Sequence, residues 1–227
     1  MCRASPPGEI GVHSADRTAT SKTGAMSVPS GRRVRRAGIG DLDGIAQVLA
    51  DAFSDYAWTR WTVDASDHRR RIEGLQRLAL EHLGIPFGQV WVACTANTIE
   101  AAAIWTDSRC PPPEAAWAEI AGEQRALEGD RHEASRAAEE AVSRLQPELP
   151  HLYLGAVGTS TASQRQGLGA AVLAPTLAAA DEEQIHAFLE TSSDANLRFY
   201  ARLGFDVVDE VRIEGGPPVW AMLRPPA

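Results

Sequence analysis

The 227-residue chain has little that would place it in a membrane, a disulfide scaffold or a nucleic-acid complex. No stretch approaches the roughly 18 consecutive apolar residues of a membrane span. The N-terminus lacks the roughly 7–15-residue apolar region of a secretory signal, so the expected location is cytoplasmic and no membrane partner is expected. Cysteine is scarce. Cys2, Cys94 and Cys110 are widely spaced and odd in number. They match neither a disulfide framework nor a zinc-ligand spacing, so no metal is expected. Basic residues are in deficit, and the formal net charge is -8. That argues against a nucleic-acid partner and makes a cationic or amine ligand electrostatically easier. There is no internal repeat. What remains is ordinary globular composition, with 44% hydrophobic and 23% charged residues. It is enough to bury a core in one large domain.

Residues 1–31 are rich in Ser, Thr, Gly, Pro and Ala without an apolar run, and are expected to be a disordered N-terminal extension. Met26 precedes the first patterned segment. From 32 to 227 the pattern is that of a folded domain. A short edge strand is predicted at Arg32–Ala37, and then a helix capped by Asp41, with Leu42, Ile45, Leu49 and Phe53 on one face. A second helix is predicted from Asp67 to Leu83. A hairpin follows at Gln89–Thr95 and Ile99–Thr106 around a polar turn. Pro111–Pro113 starts a helical stretch whose buried face is marked by Trp117, Ile120 and Leu127. Ala134, Ala138, Ala141 and Leu145 mark the next helix. The C-terminal third then alternates strand and helix, which predicts a mostly parallel sheet there, with antiparallel strands added by the hairpin.

One strand, His151–Gly158, runs through Thr159 into Gln164-Arg165-Gln166-Gly167-Leu168-Gly169, and a helix begins at once. Glycines let a backbone approach a ligand closely, and the first N–H groups of a helix carry the positive end of its dipole. Such a turn suits a pyrophosphate. It has neither the Lys-Ser/Thr pair of a P-loop nor a full dinucleotide fingerprint. The glycines alone are equally compatible with tight helix–strand packing.

A second segment, Asp194-Ala-Asn-Leu-Arg-Phe-Tyr-Ala-Arg-Leu-Gly-Phe205, places Asn196 and Tyr200 on one helix face and ends it at Gly204. Together, Q-x-x-G-x-G after a strand and N-x-x-x-Y-x-x-x-G-F resemble the GNAT superfamily of N-acetyltransferases. That resemblance implies an α/β acyl-coenzyme A N-acyltransferase fold, with a mixed central sheet of about seven strands flanked by helices. It implies acetyl-coenzyme A as co-substrate. Loop contacts then fall on Gln164, Arg165, Gln166, Gly167, Leu168 and Gly169. Val157, Gly158 and Thr159 would pair with the pantetheine arm as a strand pairs with a strand, and Asn196 would lie beside it. Tyr200 would protonate the leaving thiolate, for which a phenol of pKa about 10 is a suitable donor.

Upstream, Ala52-Phe-Ser-Asp-Tyr-Ala-Trp-Thr-Arg-Trp-Thr-Val-Asp64 is similar to a stretch of the puromycin N-acetyltransferases. So are Gln89–Ala93, Ala103–Thr106, Glu190–Ser192 and Ala221–Arg224. The resemblance covers about residues 33–227. It departs at Thr159, Thr161, Arg165-Gln166 and His151–Tyr153, where other residues are usual. The implied acceptor is a primary amine of a small molecule, puromycin or a related aminonucleoside, acetylated as in antibiotic resistance. Tyr56, Trp58 and Tyr153 are candidate stacking surfaces for it, and Asp55 a candidate attractor of the amine. Trp105, on a predicted central strand, reads as core.

Direct transfer needs a neutral attacking amine, and an α-amino group of pKa about 7.7–8.0 needs only a modest base. Glu190, at a strand end, is the candidate. The other readings are acetylation of another small amine or a peptide N-terminus, and a non-catalytic acyl-coenzyme A-binding protein. Monomer and homodimer both remain open.

Overall fold

A computed structural model describes residues 31–227; apart from Gly31, the segment expected to be disordered lies outside the described residues. Seven strands are present: β1 (Arg32–Arg36), β2 (Gln89–Thr95), β3 (Thr98–Asp107), β4 (His151–Thr159), β5 (His186–Thr191), β6 (Asp206–Arg212) and β7 (Pro218–Arg224). The main helices are α1 (Leu42–Phe53), α2 (Ala57–Thr62), α3 (His68–Ala79), α4 (Glu114–Glu128), α5 (His132–Ser143), α6 (Leu168–Glu183) and α7 (Asp194–Ala201). One seven-stranded sheet has the order β1-β2-β3-β4-β5-β7-β6. The mixed, helix-flanked sheet expected from the sequence is therefore present.

The strand directions correct one expectation. Only β4 and β5 run parallel, whereas β5–β7 and β6–β7 are antiparallel. Alternation of element types suggested crossovers throughout the C-terminal third. Instead β7 folds back on β6 as a hairpin and inserts between β5 and β6, so the β5–α7–β6 crossover skips over a strand that runs the other way.

Period-two alternation places the core on both sheet faces. Ala101, Ala103 and Trp105 of β3 pack with Leu173, Val172 and Leu177 of α6. Ala102 and Ile104 point the other way, into Ile45 and Leu49 of α1. The small side chains of β3 let both helices lie close. Trp105 is fully buried, as read from the sequence. Cys94 is free and buried among the residues packed on α1.

Three local details differ from expectation. Asp41 sits at the start of α1, but its carboxylate turns back to accept from Arg35 at 2.7 Å and from the Gly38 N–H at 2.9 Å. Tyr56 precedes α2 and Trp58 lies inside it, a short helix absent from the elements read from the sequence. Trp117, expected on the buried face of α4, is half exposed. Ala116 and Ile120 carry that face instead, against Leu78 and Leu83. No helix among the described residues is long and apolar enough to cross a membrane.

Candidate active site

The site begins where two parallel strands part. β4 and β5 are paired from His151↔His186 to Leu154↔Leu189 only. Beyond that, β4 continues to Thr159 beside β3 and β5 to Thr191 beside β7, without pairing with each other. A register shift against β3 leaves Gly155 unpaired at this point. Such a bulge bends a strand, and here it coincides with the parting. The backbone of β4 from Gly155 onward thus offers an open edge of the kind an extended ligand can pair with.

The turn after β4 continues that edge. A 3₁₀ turn at Thr161–Ser163 leads to Arg165 at φ +60° and Gly167 at φ +79°, and α6 starts at Leu168. Holding a non-glycine residue in the left-handed region costs about 1–2 kcal/mol, so the shape at Arg165 must be held by its surroundings. Successive N–H groups in such a turn form an anion-binding concavity at the helix start. A Cβ at Gly167 would meet nothing within 4 Å, so the turn faces open space.

Other loop residues have separate tasks. Leu168 is buried in the core and can offer a ligand only its backbone. Gln164 and Gln166 donate to the Thr159 and Ala162 carbonyls at 3.5 and 3.3 Å. Gly158 has a packing reason of its own. A Cβ there would sit 2.9 Å from both Leu49 Cδ2 and Ala52 Cβ of α1.

A cavity of about 480 Å³ opens from the parted strands. Its sheet side is Tyr153 to Val157 of β4 and Glu190 and Thr191 of β5, and Asn196 and Tyr200 of α7 close one flank. The opposite wall comes from α2 through α5, including Trp58, Gln76, Trp117, Gln124 and Glu139. The lining holds three carboxylates, Glu128, Glu139 and Glu190. Among the described residues none of its side chains is Lys, Arg or His. Glu128 is already committed, accepting from Ser135 and Gln124 at 2.9 Å and paired with His132. Glu139 and Glu190 are the carboxylates left to an occupant.

The titrating groups of the site are strongly tuned. Burial pushes the Glu190 carboxyl up to about 7, against the lowering influence of Tyr153 and Gln146. Its Oε1 is buried without a hydrogen-bond partner. Burial also raises the phenols of Tyr153 and Tyr200, helped by Glu190 and by Tyr56 respectively. Tyr200 is 6% exposed, packed against Phe199 and Phe205, and remains a protonated phenol at neutral pH. Tyr56 is tied to the strand end. Its hydroxyl lies 3.0 Å from Thr191 Oγ1 and accepts from the Ser192 N–H. Asn196 donates to the same Thr191 Oγ1 at 3.3 Å.

The structure thus brings Tyr153, Glu190, Asn196, Tyr200, Tyr56 and Trp58 to one cavity. It does not bring Asp55 there. That carboxylate is 95% exposed and lies 3.6 Å from Arg60. The side chains missed by sequence reading are Gln76, Gln124 and Glu139, on helices where only the apolar face was read, and Trp117, read as core, lines the cavity instead.

The fold is also found in known proteins. A family profile described as an acetyltransferase (GNAT) domain matches residues 133–223. Over those residues the chain matches a GNAT acetyltransferase domain. This acetyltransferase superposes on a structure from Corynebacterium glutamicum described as histone acetyltransferase HPA2 and related acetyltransferase, at 25% identity and TM-score 0.66, covering 87% of this chain and 97% of that one. It shares the fold of a Drosophila melanogaster polyamine N-acetyltransferase, at 17% identity and TM-score 0.54, covering 86% and 99%. It shares it also with the ribosomal-protein-S18-alanine N-acetyltransferase of Escherichia coli, at 14% identity and TM-score 0.52, covering 86% and 93%. The enzyme is an acetyl-coenzyme A-dependent N-acetyltransferase. Among the described residues there is no cluster of His, Cys, Asp and Glu that would hold a metal.

Proposed function

We propose that this acetyltransferase, with its domain spanning residues 32–227, acetylates a primary amine of a small molecule. The acceptor we propose is puromycin or a related aminonucleoside. The observation that carries the amine reading is the charge of the cavity, which among the described residues holds carboxylates and no basic side chain. Trp58, Trp117 and Tyr153 add flat apolar surface for an aromatic acceptor. The sequence similarity at 52–64 is what singles out the aminonucleoside class. Asp55, exposed on its own loop, is left with no part in the binding.

The co-substrate supplies an acetyl thioester. The open edge of β4 at Val157–Thr159 would hold its extended arm, and the turn Gln164–Gly169 its phosphates through backbone N–H groups. Arg165 adds a positive charge beside them. Asn196, fixed by Thr191, lies on the flank between strand end and helix.

Glu190 then serves as the base. A carboxyl titrating near 7 is ionised often enough at neutral pH to take a proton from an α-ammonium group. The freed nitrogen adds to the thioester carbonyl carbon, releases its second proton to solvent, and the C–S bond breaks as the carbonyl re-forms. Tyr200 gives its phenolic proton to the departing sulfur and recovers one from solvent. Burial in a cavity of low polarity strengthens both proton transfers' dependence on position.

The deciding experiment mixes purified protein with acetyl-coenzyme A and puromycin, and follows thiol release and the mass of the antibiotic. Gain of one acetyl group with thiol release supports the proposal. Thiol release only with other amines removes the aminonucleoside and keeps the amine. Failure with every amine, together with tight coenzyme A binding, would return the non-catalytic reading.

A further inference from the structure

The turn that precedes α6 is held by a brace built from the neighbouring strand β3 and the edge strand β1. Glu100 of β3 receives two hydrogen bonds from Arg32 of β1, each 2.8 Å, and one from Thr95 Oγ1 at 2.7 Å. Its remaining capacity goes to the turn. Ser163 Oγ donates to Glu100 Oε1 at 2.7 Å. Arg32 extends a third N–H to Gln166 Oε1 at 2.6 Å. The main chain joins in, with the Ser160 N–H donating to the Glu100 carbonyl at 2.8 Å.

This network grips both ends of the segment that contains Arg165 at φ +60° and leads to Gly167 at φ +79°. Backbone in sparsely populated regions persists only where the surroundings over-determine it. Arg32 holds the Glu100 carboxyl down to about 2, so the brace stays charged across the whole working pH range. Charge-assisted, forked Arg–carboxylate pairs are the strong and directional kind. Here one fork fixes a carboxylate while the third donor reaches the turn.

We propose that Arg32 and Glu100 are positioning residues for the co-substrate. They hold the 163–167 turn in its anion-binding shape before the ligand arrives. Neither touches the reacting atoms. Their effect falls on affinity for the phosphate-bearing substrate and not on the chemical step. The proposal rests on the reading of this turn as the phosphate site.

Two measurements test it. In the first, Glu100→Ala and Arg32→Ala are assayed for steady-state acetylation and for binding of coenzyme A by calorimetry. The expected result is a 5- to 20-fold rise in both KM for acetyl-coenzyme A and Kd for coenzyme A. kcat and KM for the amine should stay within 2-fold. Arg32→Lys keeps the charge but loses the fork, and should recover only part of the loss. In the second, amide hydrogen exchange at 163–168 is followed in the ligand-free protein, where Glu100→Ala should speed it at least 10-fold relative to strand β4. A lowered Tm with unchanged coenzyme A affinity and unchanged exchange at 163–168 would overturn the proposal and leave an ordinary ion pair. If the wild-type protein bound no coenzyme A, the phosphate reading would fail, and the exchange measurement would still decide whether the brace holds the turn.

Discussion

The two ends of the active site are built in different ways. The co-substrate end is continuous in sequence. Strand, turn and helix occupy 151–183 without interruption, and β5 and α7 complete it. The acceptor end is assembled from α2, α3, α4 and α5, which come from two stretches of chain, 57–79 and 114–143, and meet over the parted β4 and β5. In the proposed reading the backbone would do the binding at the first end, so the residue types follow from local geometry. At the second, side chains would do it, and many side chains would make an equally good wall. The first would then be a common architecture, and the second the place where substrate choice is made.

If that contrast is right, substitutions should separate cleanly. Tyr200→Phe should have the largest effect, lowering kcat by about 100- to 1,000-fold, in the range for loss of a general acid. Its coenzyme A affinity should stay within 2-fold by calorimetry. Full activity would remove Tyr200 from the chemistry.

Glu190→Gln should cost about 100-fold in kcat/KM and abolish the acidic limb near 7 in its pH profile. It carries a second, opposite signature. A carboxyl raised from 4.5 to about 7 keeps in the folded state a proton that the unfolded chain releases. Stability therefore falls as pH rises through that window. The Gln variant escapes this fall, and should gain on the order of 1–3 kcal/mol over wild type at pH 8 but not at pH 4. Denaturant unfolding at both pH values checks the sign.

Gly167→Val tests the other end. A β-branched residue at φ +79° is strained although its Cβ meets nothing. Acetyl-coenzyme A KM should rise roughly 10-fold, matching about 1–2 kcal/mol of strain relieved by distorting the turn. Amine KM should not move. Trp117→Ala should do the reverse on a smaller scale. It should raise acceptor KM about 3- to 5-fold while leaving coenzyme A binding alone. Because Trp117 is half exposed, its loss should cost within about 0.5 kcal/mol of stability. Asp55→Asn should change neither KM by as much as 2-fold, since that side chain is 95% exposed and outside the cavity. A large effect there would show that the acceptor reaches beyond the cavity described.

Legibility in the sequence followed the same divide. Gly167 and the Asn196–Tyr200 spacing were readable because a left-handed turn and a shared helix face are set by neighbours within four residues. The edge strand and the hairpin were readable from residue patterning, and the seven-stranded mixed sheet is what the family resemblance implied. The position of β7 between β5 and β6 was not, because pairing partners are chosen by the whole sheet. Nor was Glu139, whose helix showed only an alanine stripe. Asp55 and Glu139 are both acids near predicted helices, and nothing local tells which one faces a ligand.

What this sequence determined alone is a turn of backbone amides after a strand, and a tyrosine four residues beyond an asparagine on a helix. Such features follow from glycine's freedom of φ and from helical periodicity, which act over a few residues. Tertiary structure alone decided the parting of β4 from β5, the burial that raises Glu190, and the brace from Arg32 to the turn 134 residues away. Each depends on packing between segments distant in the chain, where desolvation and contact are properties of the assembled fold.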